Sequence, residues 1–470
     1  MVVRFAPDKV FLGRKIYAEG SDKRHDCGRA HAHTAVVYSA AAAGAAVSAV
    51  LCHTVVVGNF LGMEALAGVG STGSINFLVL GLCNGVCAGF AIPVAQKFGE
   101  KDFNGLRNFV GNMIWLGGII ALIVTAVTTI GCRAILTAMN TPESTFSYAY
   151  DYIFLIFLGI PATMLYNLLS GILRSLGDSR TPLMFLVFSS LLNVALDIVC
   201  VVTLQMGVAG AGWATLISQL ISGLLCLLYM DRKFPILHLK RENLVWRGHC
   251  VRRLLIMGLP MGLQYSITAI GSILLQTAVN GLGAVSMAAV AASGKVTNLF
   301  ATPYDAMGTM AATYAGQNLG AGKLDRVHHG VKDCCILGVA YSLAALVVMY
   351  FLGAQMTALF LDSKDVASSA QILPLARQLL VTNAAFYIPL LGVNLFRFTI
   401  QGLGYSNLAV IAGVSEMIAR GAVAALVSVF GFTAVCYASP AAWVLADCFL
   451  IPAYFICMKR RTKEAAAARE

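Results

Sequence analysis

Apolar runs of roughly twenty residues recur along the chain from Ala35 to Met458, and a run of that length crosses about 30 Å of hydrocarbon as a helix. Twelve such spans are predicted. Six lie near 35–57, 72–96, 110–131, 150–173, 182–204 and 208–230. Six more lie near 254–280, 287–315, 331–353, 372–402, 407–430 and 437–458. A polar segment, 1–34, precedes them, a basic segment, 231–253, links the two sets, and 459–470 forms a basic tail. Short motifs also recur between the sets. Ala95-Gln96-Lys97-Phe98-Gly99 returns as Gly316-Gln317-Asn318-Leu319-Gly320, and Asn59-Phe60-Leu61-Gly62 as Asn280-Gly281-Leu282-Gly283. Asn167 with Leu176-Gly177-Asp178-Ser179 returns as Asn394 with Leu403-Gly404-Tyr405-Ser406. A repeat with an even number of spans keeps its orientation, so the lobes 35–230 and 254–458 should be related by a pseudo-two-fold axis along the membrane normal. The expected fold is an all-α polytopic membrane protein with a cleft between two six-helix lobes.

Composition agrees with this pattern: 58% of residues are hydrophobic, 12% are charged and the mean hydropathy is +0.78. The net charge of +11 sits in alternate loops rather than on one surface, so it reports topology and not a nucleic-acid partner. By the positive-inside rule both termini should be cytoplasmic, in a multi-pass protein of the cell membrane. No signal peptide precedes the first span, so insertion should begin there. The thirteen cysteines have no metal-site or framework spacing and read as small hydrophobes. Gly68-Val69-Gly70-Ser71-Thr72-Gly73 fits a dinucleotide fingerprint, but lacks the preceding soluble strand and reads as a loop entering a helix. Without a Walker A sequence, any transport should draw on an ion gradient, with no cofactor beyond the coupling ion.

The polar residues inside the spans carry the chemistry. Ser190, Asn193 and Asp197 share one helical face in the fifth span. An ionised acid at mid-bilayer costs roughly 2.5–3.5 kcal/mol even on lenient scales, so Asp197 should meet water, a cation or a proton, unless it only bonds a neighbouring hydroxyl. In the eleventh span Glu416 and Arg420 are spaced to pair and neutralise each other, either locking the lobe or touching substrate. Lys295 and Asp305 in the eighth span and Asp447 in the twelfth are further candidates near the cleft. Met257, Met261, Met287, Met307 and Met310, with Phe300, Tyr265 and Tyr304, suit a pocket for flat cations, although ordinary packing is the commoner use of such residues.

Several of these stretches resemble a known family. Val57-Gly58-Asn59-Phe60-Leu61-Gly62, then Ala65-Leu66-Ala67 and Val94-Ala95-Gln96-Lys97-Phe98-Gly99, are similar to the signature of the MATE multidrug and toxic compound extrusion transporters. Gly171-Ile172-Leu173-Arg174-Ser175-Leu176-Gly177-Asp178, Gly207-Val208-Ala209-Gly210-Ala211-Gly212-Trp213-Ala214-Thr215 and Gly316-Gln317-Asn318-Leu319-Gly320-Ala321 add to it. The resemblance implies export of organic cations and amphipathic drugs or metabolites in exchange for protons or sodium ions. It carries an amino-lobe ion site onto Asn193, Asp197 and Thr215, with Asp197 as the ligand for any Na+. The implied substrate cleft takes in Asn167, Tyr265, Lys295, Asp305, Glu416 and Arg420, in a protein expected to be a monomer in the bilayer.

One position departs. The family usually has an aspartate five residues before the glycine that corresponds to Gly58, and His53 stands there. Nothing before Val57 resembles the family, so this branch has lost the acid or residues 1–56 have another origin, such as a shifted reading frame. Two other functions are weighed. A flippase for lipid-linked oligosaccharides would want a cleft rich in Arg and Lys, and a membrane-embedded enzyme or sensor would want clustered catalytic acids or histidines, or an appended soluble domain.

Overall fold

A computed structural model describes residues 60–61, 63–139, 141–361 and 366–467. The predicted first span and His53 lie outside them. Fifteen α-helices follow one another: α1 (Met63–Ser71), α2 (Gly73–Gly99), α3 (Phe103–Ile130), α4 (Cys132–Ala138) and α5 (Glu143–Leu158). Then come α6 (Ile160–Ser175), α7 (Arg180–Asp197), α8 (Gly207–Lys233), α9 (Gly248–Asn280) and α10 (Ala284–Gly320). The chain closes with α11 (Leu324–Ala358), α12 (Val366–Ala385), α13 (Tyr387–Gly402), α14 (Asn407–Phe430) and α15 (Phe432–Ala467). Among the described residues, nine single helices are long and apolar enough to cross a membrane, and two bent pairs bring the number to 11. These match the predicted spans from the second to the twelfth.

Both bends have a local cause. Between α5 and α6 the axis turns by 43°, and between α12 and α13 by 51°. Pro161 and Pro389 stand just after these breaks and have no N–H for the carbonyl four residues earlier, so each span gives way there. The fingerprint-like glycines are not a loop: Gly68 is inside α1, where an added methyl would press on Tyr148 of α5, and only Thr72 interrupts the helix.

Two large hydrophobic clusters form the lobes, one drawn from Ala65 to Leu254 and one from Val296 to Cys457. Leu237 and the first turns of α9, at Cys250, Val251 and Leu254, belong to the first cluster, so the basic linker is docked on the amino lobe. Asn104, Asn108 and Asn112, one turn apart on α3, hold it. Asn243 donates to Asn104 at 3.2 Å and Asn108 at 2.9 Å, while Asn112 donates to the Val245 carbonyl at 3.2 Å.

The lobes meet along α2, which packs on α9 and on α10. At the end of the molecule that carries the basic segments, the two copies of the repeated motif face each other. A methyl on Gly99 would overlap the Gln317 carbonyl, and one on Gly320 would overlap the Gln96 carbonyl. Only glycine permits backbones this close. Gln317 donates to the Ser175 carbonyl at 2.9 Å, and Gln96 to the Gly402 carbonyl at 3.1 Å, so the contact joins α2 and α6 of one lobe to α10 and α13 of the other.

Candidate functional site

In the amino lobe, α7 and α8 are joined by polar side chains set one turn apart. Asn193 donates to Thr215 Oγ1 at 3.3 Å, Ser189 to the Ser218 carbonyl at 3.1 Å, and Ser222 to the Phe185 carbonyl at 2.8 Å. Without water to compete, such bonds hold membrane helices together, each of order 1 kcal/mol. The polar face therefore runs through Ser189, not Ser190, which donates to the Leu186 carbonyl of its own helix at 3.0 Å.

Asp197 ends this row and is 0% exposed. Directly after it the helix widens into a π-helical stretch, Ile198–Thr203, a feature that often marks functional positions because it re-aims side chains and frees backbone groups. Gly210 of α8 closes against the carbonyl of Cys200 in that stretch. Tyr152 of α5 lies within electrostatic reach of Asp197. Tyr152 and Thr215 in turn line a cavity of about 320 Å³ between α2, α5, α6, α7 and α8. The wall is uncharged and mainly apolar, with Asn76, Asn84, Asn167 and Gln219 supplying amides among Leu80, Leu155, Ile156 and Leu216. Asn167 donates to Asn84 Oδ1 at 2.9 Å, which places it in this amino-lobe cavity. Asn193 and Thr215 are thus joined, with Asp197 one turn further along α7.

The carboxyl lobe differs. Glu416, 2% exposed, is bonded by Arg397 of α13 as well as by Arg420 at 3.3 Å, so the predicted pair is a triad. Arg420 pairs with Glu416 as the spacing predicts, and Arg397 adds a second guanidinium to the same carboxylate. Asp447 of α15 stands beside α13, where a side chain at Gly392 would meet its carboxylate. Among the described residues, the buried Arg397 and Arg420 share this lobe with the acids Glu416 and Asp447, which is not the cleft rich in Arg and Lys that a flippase for lipid-linked oligosaccharides would want. Lys295 does not join this group. It is exposed, and its Nζ stands 5.4 Å over the Phe360 ring.

The methionine and aromatic set is mostly packing. Met257, Met307 and Tyr304 are fully buried, and Tyr304 is bonded to Ser342 at 2.7 Å. Met261 does border a small inter-lobe cavity, beside Arg174, Thr309 and Phe398.

The MatE family model matches residues 44–199 and 260–431. The chain belongs to the MatE family. Membership makes it a multi-pass membrane transporter, and moves the start of the family likeness from Val57 back to residue 44. Among curated MatE relatives, the chain is 28% identical over 348 residues to "Probable multidrug resistance protein YpnP" of Bacillus subtilis, covering 74% of this chain and 75% of that one. It is 26% identical over 316 residues to "Probable multidrug resistance protein YoeA" of the same organism, covering 66% and 68%. The MatE fold is seen again in "Outward-facing conformation of a multidrug resistance MATE family transporter of the MOP superfamily", with a TM-score of 0.83 and 20% identity over 95% of this chain and 100% of that one.

Proposed function

We propose that this MatE chain is a secondary antiporter of the plasma membrane that exports organic cations, drugs or amphipathic metabolites in exchange for protons or sodium ions. The observation that carries the reading is a fully buried acid, Asp197, one turn beyond Asn193, whose amide bonds Thr215 in the wall of an uncharged cavity of about 320 Å³. An acid in that position binds a cation or a proton only when the cavity gives access to it, so occupancy of the cavity and of the acid become coupled. The uncharged amides and the tyrosines suit flat amphipathic molecules of varied shape. With the basic end in the cytoplasm, the Gly99–Gly320 contact closes the inner side, and rocking of the lobes about α2, α9 and α10 would open it. Dye efflux from everted vesicles, measured first under a pH gradient and then under a sodium gradient, tests this. Efflux driven by one of the two is expected, and efflux driven only by ATP would end the proposal.

A further inference from the structure

The turn between α13 and α14, at the basic end of the molecule, brings together two arginines from different lobes. Gly404 takes the left-handed conformation there, with φ +94°, and a methyl on it would stand 2.9 Å from Arg461 Nη2 and 3.0 Å from Arg253 Nη2. Two guanidinium ends thus converge on one point. Arg253 belongs to the first turns of α9, which are docked on the amino lobe, and Arg461 to α15 of the carboxyl lobe. Arg253 is half-buried, and the Arg461 side chain is 21% exposed.

Both are held in place by neutral groups. Arg461 donates through Nε and Nη2 to the Leu403 carbonyl, at 3.0 Å and 2.8 Å, and stands 4.7 Å over the Tyr405 ring. Arg253 Nη2 donates to Gln96 Oε1 at 3.4 Å, and Gln96 is the residue that bonds the Gly402 carbonyl across the lobes. The acids of this end are engaged elsewhere. Glu464 is shared by Arg461 Nη1 at 2.7 Å and Arg460 Nε at 3.3 Å, while Glu100 and Asp102 both hold Lys97, at 2.7 Å and 3.1 Å. Among the described residues no acid pairs with Arg253.

The repeated motif shows what this turn lacks. In the amino lobe Asp178 follows Gly177, and accepts from the Thr181 N–H at 3.0 Å and from the Tyr229 hydroxyl at 3.1 Å. In the carboxyl lobe Tyr405 stands in place of that acid, its hydroxyl buried with no hydrogen-bond partner among the described residues. Like charges held this close and partly out of water repel, and an oxyanion between them replaces the repulsion with charge-assisted hydrogen bonds.

We propose that Arg253 and Arg461 form a binding site for a phosphate group, the chemistry shared by the headgroup of an anionic phospholipid of the inner leaflet and by free phosphate. Guanidinium forks match phosphate oxygens, and basic pockets between helices on the cytoplasmic side are where such headgroups are held. One arginine comes from each lobe, and Gln96 joins them to the Gly99–Gly320 contact, so a bound anion ties the lobes together on the inner side. That consequence rests on the rocking of the lobes proposed above. The binding itself does not.

Native mass spectrometry of the protein in mixed micelles of phosphatidylcholine and phosphatidylglycerol, and melting curves in inorganic phosphate against chloride at equal ionic strength, separate the two sources. Saturable binding of one probe is expected. It should weaken about tenfold or more in Arg253→Gln, the size of one charge-assisted contact, and be kept in Lys463→Gln, whose lysine is exposed on the same helix as Arg461. If Arg253→Gln does not fold, Arg253→Lys keeps the charge without the fork and should still bind several-fold more weakly. Saturable binding of neither probe, unchanged binding in the folded Arg253 variant, or an equal loss in Lys463→Gln would overturn the proposal. No transport is measured, so a failure of ion-driven export would overturn only the function proposed above and leave this site standing.

Discussion

Gly99→Ala asks whether the contact between the repeated motifs is a gate. The new methyl would overlap the Gln317 carbonyl oxygen, with its carbon 2.8 Å and Cα 3.0 Å away, and the reciprocal Gly320→Ala would meet the Gln96 carbonyl in the same way. All of these are backbone atoms in helices, so no rotamer change relieves the clash. Overpacking of this kind costs about 1–3 kcal/mol, which corresponds to a shift of roughly 5- to 150-fold away from the closed arrangement. The cost falls on the inter-lobe contact alone, because alanine is favoured over glycine within a helix by about 1 kcal/mol. Spectroscopic labels placed through unnatural amino acids at the exposed Glu100 and Lys323 would read the separation of the α2 and α10 ends. The expected result is a population moved to longer distances, with slower efflux and nearly unchanged melting. An unchanged distance distribution with a lower melting temperature would refute the gate and leave an ordinary packing contact.

Three further outcomes follow from the geometry. Glu416→Gln leaves two buried guanidiniums facing each other and should cost roughly 3–5 kcal/mol, whereas Arg420→Met leaves Glu416 on Arg397 and should cost far less. Equal losses in detergent melting curves would show that Arg397 alone does not hold Glu416. Asn193→Ala removes the bond to Thr215, worth of order 1 kcal/mol, and should weaken ion coupling while export continues; complete loss of export would give Asn193 a larger role. Asp102 caps α3 by accepting from the Gly105 N–H, and this bond and Lys97 hold its carboxyl below the usual range. A lowered acid stabilises the fold above its unfolded value and loses that contribution as pH falls through its folded value, so the effect should fade below about pH 4. Asp102→Ala should lower stability by about 0.5–2 kcal/mol at neutral pH, and the difference from wild type should vanish in strong acid.

Span positions were legible because a bilayer demands apolar length, and residues 72–96 and 407–430 match α2 and α14 within three residues. Asp197 with Asn193 was legible for the same reason, since polar groups inside such runs stand out. Thr215 was placed by family resemblance, and the α7–α8 bond now supplies its physical reason. The rule that singled out Asp197 applies equally to Arg397 between Phe396 and Phe398, but a search for helical pairs within one span finds Arg420 and misses a partner on another helix. Tyr152 gave no signal, because nothing in its own stretch distinguishes a tyrosine facing an acid from one facing lipid. Lys295 shows the converse error: depth in a span does not decide which way a side chain points. The π-helical stretch after Asp197 was also invisible, since Ile198–Thr203 reads as an ordinary apolar turn.

The central claim, that Asp197 couples an ion to export, is met most directly by purified protein in liposomes carrying a pH- or sodium-sensitive dye in the lumen. Addition of an exported cationic dye to the wild type should drive a counterflow of one of the two ions, and Asp197→Asn, which keeps the shape and removes the charge, should abolish it. An unaltered counterflow in Asp197→Asn would contradict the account.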